Sequence, residues 1–505
     1  MKDNTLRFLQ GIFLVAIAAG GVFSVQLVIE LALSDYPLSP LSSMSPNEAR
    51  NFINLLNSKL NQALQVIFVV VALAVPLTAN MYSVKFLDFF IRNPVNVAVL
   101  IFIVLANLSG LWANYIMKNT VVTFQVTLVS ILTIVSLLLV LPYLFYVFRF
   151  LHPNTLLRLL EEEIKTLLKA AFHPAGGTKN RQRVAQSLEH ICNISIRSID
   201  RSDRNTAIEG ALTLERVARH YWAVKEKLNP SWFEADQNFF LGFPSLAAEE
   251  MTSSQSWVEM KLYYQFFEIM RAACPSMPEL TSSIAKSLRK LGLEATSLNH
   301  PALRELVIAY FNTFIRLAIN RRDVRSLFLI FDQYRNFGEA LNKKFPEQVL
   351  EIAYYFEYYG QVAREQQMFF VVEVVAHDLG TLVEKAWESE VPNRQKLLER
   401  FLHFDQQAIP ALSGVKKAQA LLASYFLLAG QTEPANIIRE SFQSLDPAFI
   451  QNLKKDLIQI TRQKFWEVSE RRMNIDFVPT PQREKLQEFF ESLLKDQARG
   501  GKGPL

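Results

Sequence analysis

Hydrophobic positions along the chain follow two regimes. Up to about residue 150 they form long, nearly unbroken runs at 8–29, 63–77 (continuing to 81), 95–117 and 121–148. Each is near the ~20 helical residues that cross a ~30 Å hydrocarbon core, so the pattern predicts four transmembrane helices. Beyond residue 155 apolar positions recur at helical spacing with charges between them, and no run alternates as a strand does. The predicted fold class is therefore all-α: four transmembrane helices followed by a helical-repeat-like α-solenoid domain.

The second regime resolves into short helices. Residues 155–172 predict an amphipathic helix leaving the membrane, with 173–179 as a linker. Further helices are expected at 181–199, 205–228, 256–274, 279–291, 301–319, 323–342, 346–366, 369–387, 394–404, 416–429, 434–444, 447–472 and 481–495. Pro301, Pro346, Pro447 and Pro481 sit at expected first positions, where proline loses no helical hydrogen bond. Upstream, Ser45-Pro46-Asn47-Glu48 reads as a capping box with proline at N1, starting a helix that continues toward the second apolar run. The implied division is 1–150 transmembrane, 151–179 juxtamembrane helix and linker, 180–497 helical domain and 498–505 tail.

Charge sharpens this picture. Only 8 of the 53 Lys/Arg and 5 of the 48 Asp/Glu lie in the first 150 residues. Near the span ends, Lys2, Arg7, Lys85, Arg92, Arg149 and Arg158 collect on one side, against Arg50, Lys59 and Lys118 on the other. The positive-inside rule then puts both termini and the helical domain in the cytoplasm, as expected of a multi-pass membrane protein. Cys192 and Cys274 fall on the reducing side and are expected as buried free thiols. A formal net charge of +5, scattered over the chain, argues against nucleic acid as a partner.

Small and polar residues within the runs allow two readings. Ala16, Gly20 and Ser24 recur every four residues and suit close helix packing. Asn107, Gly110 and Asn114 share one face of the third run, and Thr123, Thr127 and Ser130 one face of the fourth. They either pack helices or line a pore built by several subunits. Pro76 and Pro142 are expected to kink or end their helices.

In the helical domain, Leu422, Ala423, Phe426, Gly430, Ala435 and Pro447 resemble one tetratricopeptide unit, with the proline closing its second helix. The stretch 82–96, with Tyr82, Ser83, Lys85, Arg92, Asn93 and Pro94, resembles the bacterial membrane-protein family domain of unknown function 2254. Residues 191–217, with Arg197, Asn205, Thr206 and Ala207, are similar to a second segment of that family. The resemblance implies an inner-membrane protein with a cytosolic domain and no established activity.

Catalytic signatures are missing: no HExxH, P-loop, GxSxG or CxxC motif occurs. His377-Asp378 is similar to the pair of metal-dependent phosphohydrolases, but the further ligands that class needs are not legible nearby. The expected catalytic and metal sets are thus empty, no cofactor is expected, and the protein is not expected to be an enzyme. What remains is a membrane-anchored scaffold or sensor binding a cytosolic protein through a helical-repeat surface, in a homo-oligomer embedded in the lipid bilayer. The alternative is a homo-oligomeric ion channel gated by the cytosolic domain.

Overall fold

The structure, a computed structural model, describes residues 44–83, 85–116, 123–173, 177–234, 249, 251–404, 412–464, 471 and 474–500. The described residues are helical, with no strand among them. The chain divides into two compact units, 1–166 and 167–505. The first expected span, with Ala16, Gly20 and Ser24, lies outside the described residues.

In the first unit, α1 (Pro46–Met81) starts at the expected capping box. The Ser45 side chain accepts from the Glu48 amide while the Glu48 carboxylate accepts from the Ser45 amide at 2.8 Å. α1 runs 36 residues without a break, roughly 54 Å at 1.5 Å per residue, so the helix opened by the capping box and the second apolar run are one element. After the short α2 (Lys85–Ile91) come α3 (Pro94–Ile116), α4 (Thr123–Phe150) and the start of α5 (Pro153–Ala170). Pro76 and Pro142 lie inside α1 and α4 rather than at their ends. Each removes one helical N–H, and the flanking apolar turns carry the helix past it.

Three helices, 46–81, 94–115 and 126–150, are long and apolar enough to cross a membrane. Their apolar windows are mostly not buried within the protein, and Phe68, Leu73, Leu138 and Phe145 are each more than 60% exposed. α1, α3 and α4 pack on one another around Ala49, Ile53, Ala113, Val126 and Val129.

The second unit is a two-layer array. One layer holds α6 (Gly177–Asp200), α8 (Trp257–Ala273), α10 (Pro301–Asn320), α12 (Pro346–Glu365) and α14 (Arg394–His403). The other holds α7 (Arg204–Val224), α9 (Pro278–Ser297), α11 (Val324–Leu341), α13 (Phe369–Glu388) and α15 (Ser413–Leu428). From α8 to α14 and from α7 to α15, each helix packs on its next-but-one neighbour within its layer, and from α7 to α14 each packs on its sequence neighbour across the layers. That pairing is the arrangement of an α-solenoid. α16 (Thr432–Glu440) packs on α15, and α17 (Pro447–Ile458) and α18 (Thr480–Gly500) close the array against it.

A backbone device recurs where the sequence shows no repeat. Among the described residues, Ser202, Gln255, Asn299, Arg322, Gln367, Glu390 and Gly430 have positive φ. In each case the next amide donates to the carbonyl five residues back, at 2.8–3.2 Å. This is the Schellman end of a helix. At two of these turns the following aspartate caps the next helix, Asp203 to Thr206 and Asp323 to Ser326. Between the layers, rings fill the core: Phe311 stacks on Tyr334 with centroids 4.6 Å apart, and Phe331 and Tyr334 both meet Phe356. Cys192 and Cys274 are buried free thiols.

The helix expected over 447–472 is a correction. α17 stops at Ile458, and the chain returns across α13 before α18 begins. Nothing local breaks that helix. Arg471, thirteen residues past that end, is held by Asp378 of α13 instead of continuing the helix.

Candidate functional site

Three places hold the chemistry of this chain, one in the first unit and two in the second. In the first unit, Asn54, Asn57 and Asn61 form a stripe on α1, and Asn114, Gly110 and Asn107 form the matching stripe on α3. Asn114 Nδ2 donates to Asn54 Oδ1 at 2.7 Å, and Asn107 donates to Asn61. Between these rungs the Asn57 amide is buried against Gly110, and a Cβ on Gly110 would stand 1.9 Å from Asn57 Oδ1. The Asn57 amide has no hydrogen-bond partner among the described residues. On α4, Thr127 is buried, Ser130 returns its hydroxyl to the Val126 carbonyl, and the Thr123 side chain lies outside the described residues. The polar face of α3 is therefore turned to α1 of the same chain. Facing asparagines supply a donor and an acceptor across the helix pair, which Asn54 with Asn114 and Asn61 with Asn107 use.

In the second unit, the segment between α17 and α18 delivers two residues to α13. Arg471 grips Asp378 with both terminal nitrogens, at 2.6 and 2.8 Å, donates to the Phe328 carbonyl and covers the Phe328 ring. Arg335 Nε of α11 approaches the same carboxylate at 3.1 Å. Asp378 is thus a buried structural anion.

Its neighbour His377 faces elsewhere. His377 Nε2 lies 3.0 Å from Asp476 Oδ1, and Glu373, one turn earlier on α13, completes a group whose ligand-capable atoms all lie within 4.8 Å of one another. Lys417 Nζ of α15 stands 3.7 Å from Asp476 and 3.6 Å from Asp456. Burial works against the Asp476 carboxylate, but His377 and Lys417 outweigh it, and its pKa falls below the usual aspartate value. Burial, reinforced by Asp476, pushes Glu373 up against the pull of His377 and Lys417. The sequence singled out His377-Asp378. Asp476 was missed because nothing within helical reach of His377 points to a residue 99 positions on, whereas Glu373 four residues earlier was a usable signal.

The third place is the outer face of α12. Tyr354 and Tyr358, one turn apart, are 48% and 43% exposed, while Phe356 and Tyr359 are buried. The Arg400 guanidinium lies 5.3 Å from the Tyr354 ring.

The remaining sequence-predicted residues fall as follows. Leu422, Ala423 and Phe426 of α15 and Ala435 of α16 are buried at the packing of that pair. Gly430 has φ +72° at the turn. Pro447 opens α17 at the expected first position, with Asp446 as its cap, while α16 already ends at Glu440. Tyr82, Ser83 and Asn93 lie at the ends of α1 and α2, and Pro94 opens α3.

No protein-family model matches the chain, and no curated protein sequence matches it. Among solved structures it is similar to a circular tandem repeat protein with novel repeat topology and enhanced subunit contact surfaces. The identity is 15%, covering 90% of this chain and 98% of that one, with a TM-score of 0.34. The repeat character of this chain is defined by its own helix pairing and not by that likeness.

Proposed function

We propose that the protein is a membrane-anchored, non-enzymatic scaffold: its apolar helices hold a helical-repeat unit at the cytoplasmic face of a bacterial inner membrane, where it binds a cytosolic protein. The observation that carries this reading is the exposed pair Tyr354 and Tyr358 on the two-layer array. Exposed tyrosines at one-turn spacing on a rigid helix offer large amphipathic contact area with little entropy to lose, the usual make-up of a binding hot spot. The outward-facing apolar windows of α1, α3 and α4 support the anchoring. The positive-inside bias read from the sequence supports the orientation. A pore through several subunits has less support, because Asn107 and Asn114 are engaged by α1 and Thr127 is buried.

The test places a photo-reactive residue at position 354 of the full-length protein in its native membrane. The expected result is one discrete adduct, absent at an exposed control position such as Lys227 and lost in Tyr358→Ala. Adducts equal at both positions, or extraction of the protein from membranes by alkali, would overturn the reading. An adduct of twice the chain mass would identify the partner as a second copy.

A further inference from the structure

We propose that Glu373, His377 and Asp476 form a binding site for one divalent first-row transition-metal ion of the zinc class, its remaining coordination open to water. Glu373 and His377 are four apart on α13, so both project from one face of a rigid helix. Asp476 is carried in by the returning segment, with its amide donating to Asn474 Oδ1 at 3.0 Å to fix the turn. Ligand atoms around a zinc-sized ion at ~2.0–2.2 Å stand roughly 3–4 Å from each other. The spacing found, from 3.0 Å to at most 4.8 Å, needs only small rotamer changes to close on an ion.

A second observation points the same way. The side chains of His377 and Asp476 are about nine-tenths buried. Although His377 Nε2 and Asp476 Oδ1 are 3.0 Å apart, neither makes a hydrogen bond of acceptable geometry. Two polar atoms that close, buried and misaligned for each other are placed as two ligands aimed at a shared point would be. One imidazole with two carboxylates suits zinc, manganese or iron better than calcium, which prefers six to eight oxygens. Gly414 keeps the way clear, since a Cβ there would come within 2.9 Å of the Glu373 side chain.

Lys417 is the resident cation. It neutralises Asp476, and a divalent ion would displace it toward Asp456, which it already approaches. This gives the site a signature that a purely structural ion pair lacks: removing Lys417 strengthens metal binding.

The experiment is calorimetric titration of chelator-stripped, full-length protein in detergent with zinc chloride, with cobalt(II) as a spectroscopic substitute. The expected result is one equivalent per chain, no comparable binding of magnesium, and a cobalt ligand-field band. His377→Ala and Asp476→Asn should each weaken binding by at least about tenfold. Lys417→Met should tighten it, a gain that misfolding cannot imitate. No saturable zinc binding, binding that survives His377→Ala, or binding weakened by Lys417→Met would each overturn the proposal.

Discussion

His377 and Asp378 are adjacent, yet they serve different partners. Consecutive residues on a helix point about 100° apart, so one faces Glu373 and Asp476 while the other is clamped by Arg335 and Arg471. Both residues were legible in the sequence as chemically interesting. Their partners were not, because 471 and 476 reach them only through tertiary folding. Glu384, two turns after His377 on the same helix, shows the cost of an ion with no such partner. Burial pushes its pKa up; Lys385 opposes this, and Glu388 and Glu339 add to it. A raised folded-state value means that the folded protein resists ionising Glu384. The associated stability is present below the ordinary glutamate value of 4.5 and is lost as pH rises through the folded-state value. Glu384→Gln should therefore raise the melting temperature at pH 7, and the advantage should vanish near pH 4. Melting curves of the full-length protein at the two pH values check this, and an equal gain at both would contradict it.

At the scale of elements, most helices were visible before folding, because periodicity and first-turn prolines are local signals. Expected and observed bounds of α8, α10, α12 and α13 differ by at most one residue at each end. What failed were ends set from a distance. α17 ends at Ile458, and Arg471, which the expected helix would have included, is held instead by Asp378 of α13. The Schellman turns were hidden because six of their seven left-handed positions are not glycine. The amide ladder of the first unit was half legible: the α3 stripe was recognised, while its counterpart Asn54, Asn57 and Asn61 was not singled out. Gly110 is the element-level test of that ladder. Gly110→Val must displace the Asn57 amide and should cost about 1–3 kcal/mol, as overpacking does. Asn57→Ala in the same chain should recover much of the loss, because it empties the space the valine needs. Thermal stability of the detergent-purified single and double variants measures it. A double variant no more stable than Gly110→Val alone would show that the two positions do not press on one another.

Taken as a whole molecule, the chain pairs a unit that exposes apolar helix faces with a unit that buries many of its aromatic residues between two layers while leaving Tyr354, Tyr358, Phe369 and Phe370 exposed. The second unit depends on a closure that solenoid packing alone does not supply. Each helix of such an array meets only near neighbours, so the chain after α17 could leave the array entirely. Besides the packing of α18 on α15, Arg471 holds the returning segment by joining the Phe328 carbonyl of α11 to Asp378 of α13. Its side chain is 6% exposed and that of Asp378 is 2%, so the pair is dry and removing one partner strands a buried charge. Arg335 still reaches Asp378, which places the cost of Arg471→Ala near the lower end of the usual range, about 3 kcal/mol. Lysine restores the charge but not the two-pronged grip or the cover over the Phe328 ring, so Arg471→Lys should recover less than half of the loss. Both variants should admit protease between α17 and α18 while the helix pairs up to α15 stay protected. Release of that segment also withdraws Asp476 from His377, so zinc affinity should fall in step with protease sensitivity across the two variants. A variant that is readily cleaved there yet binds zinc as before would separate the strap from the metal site.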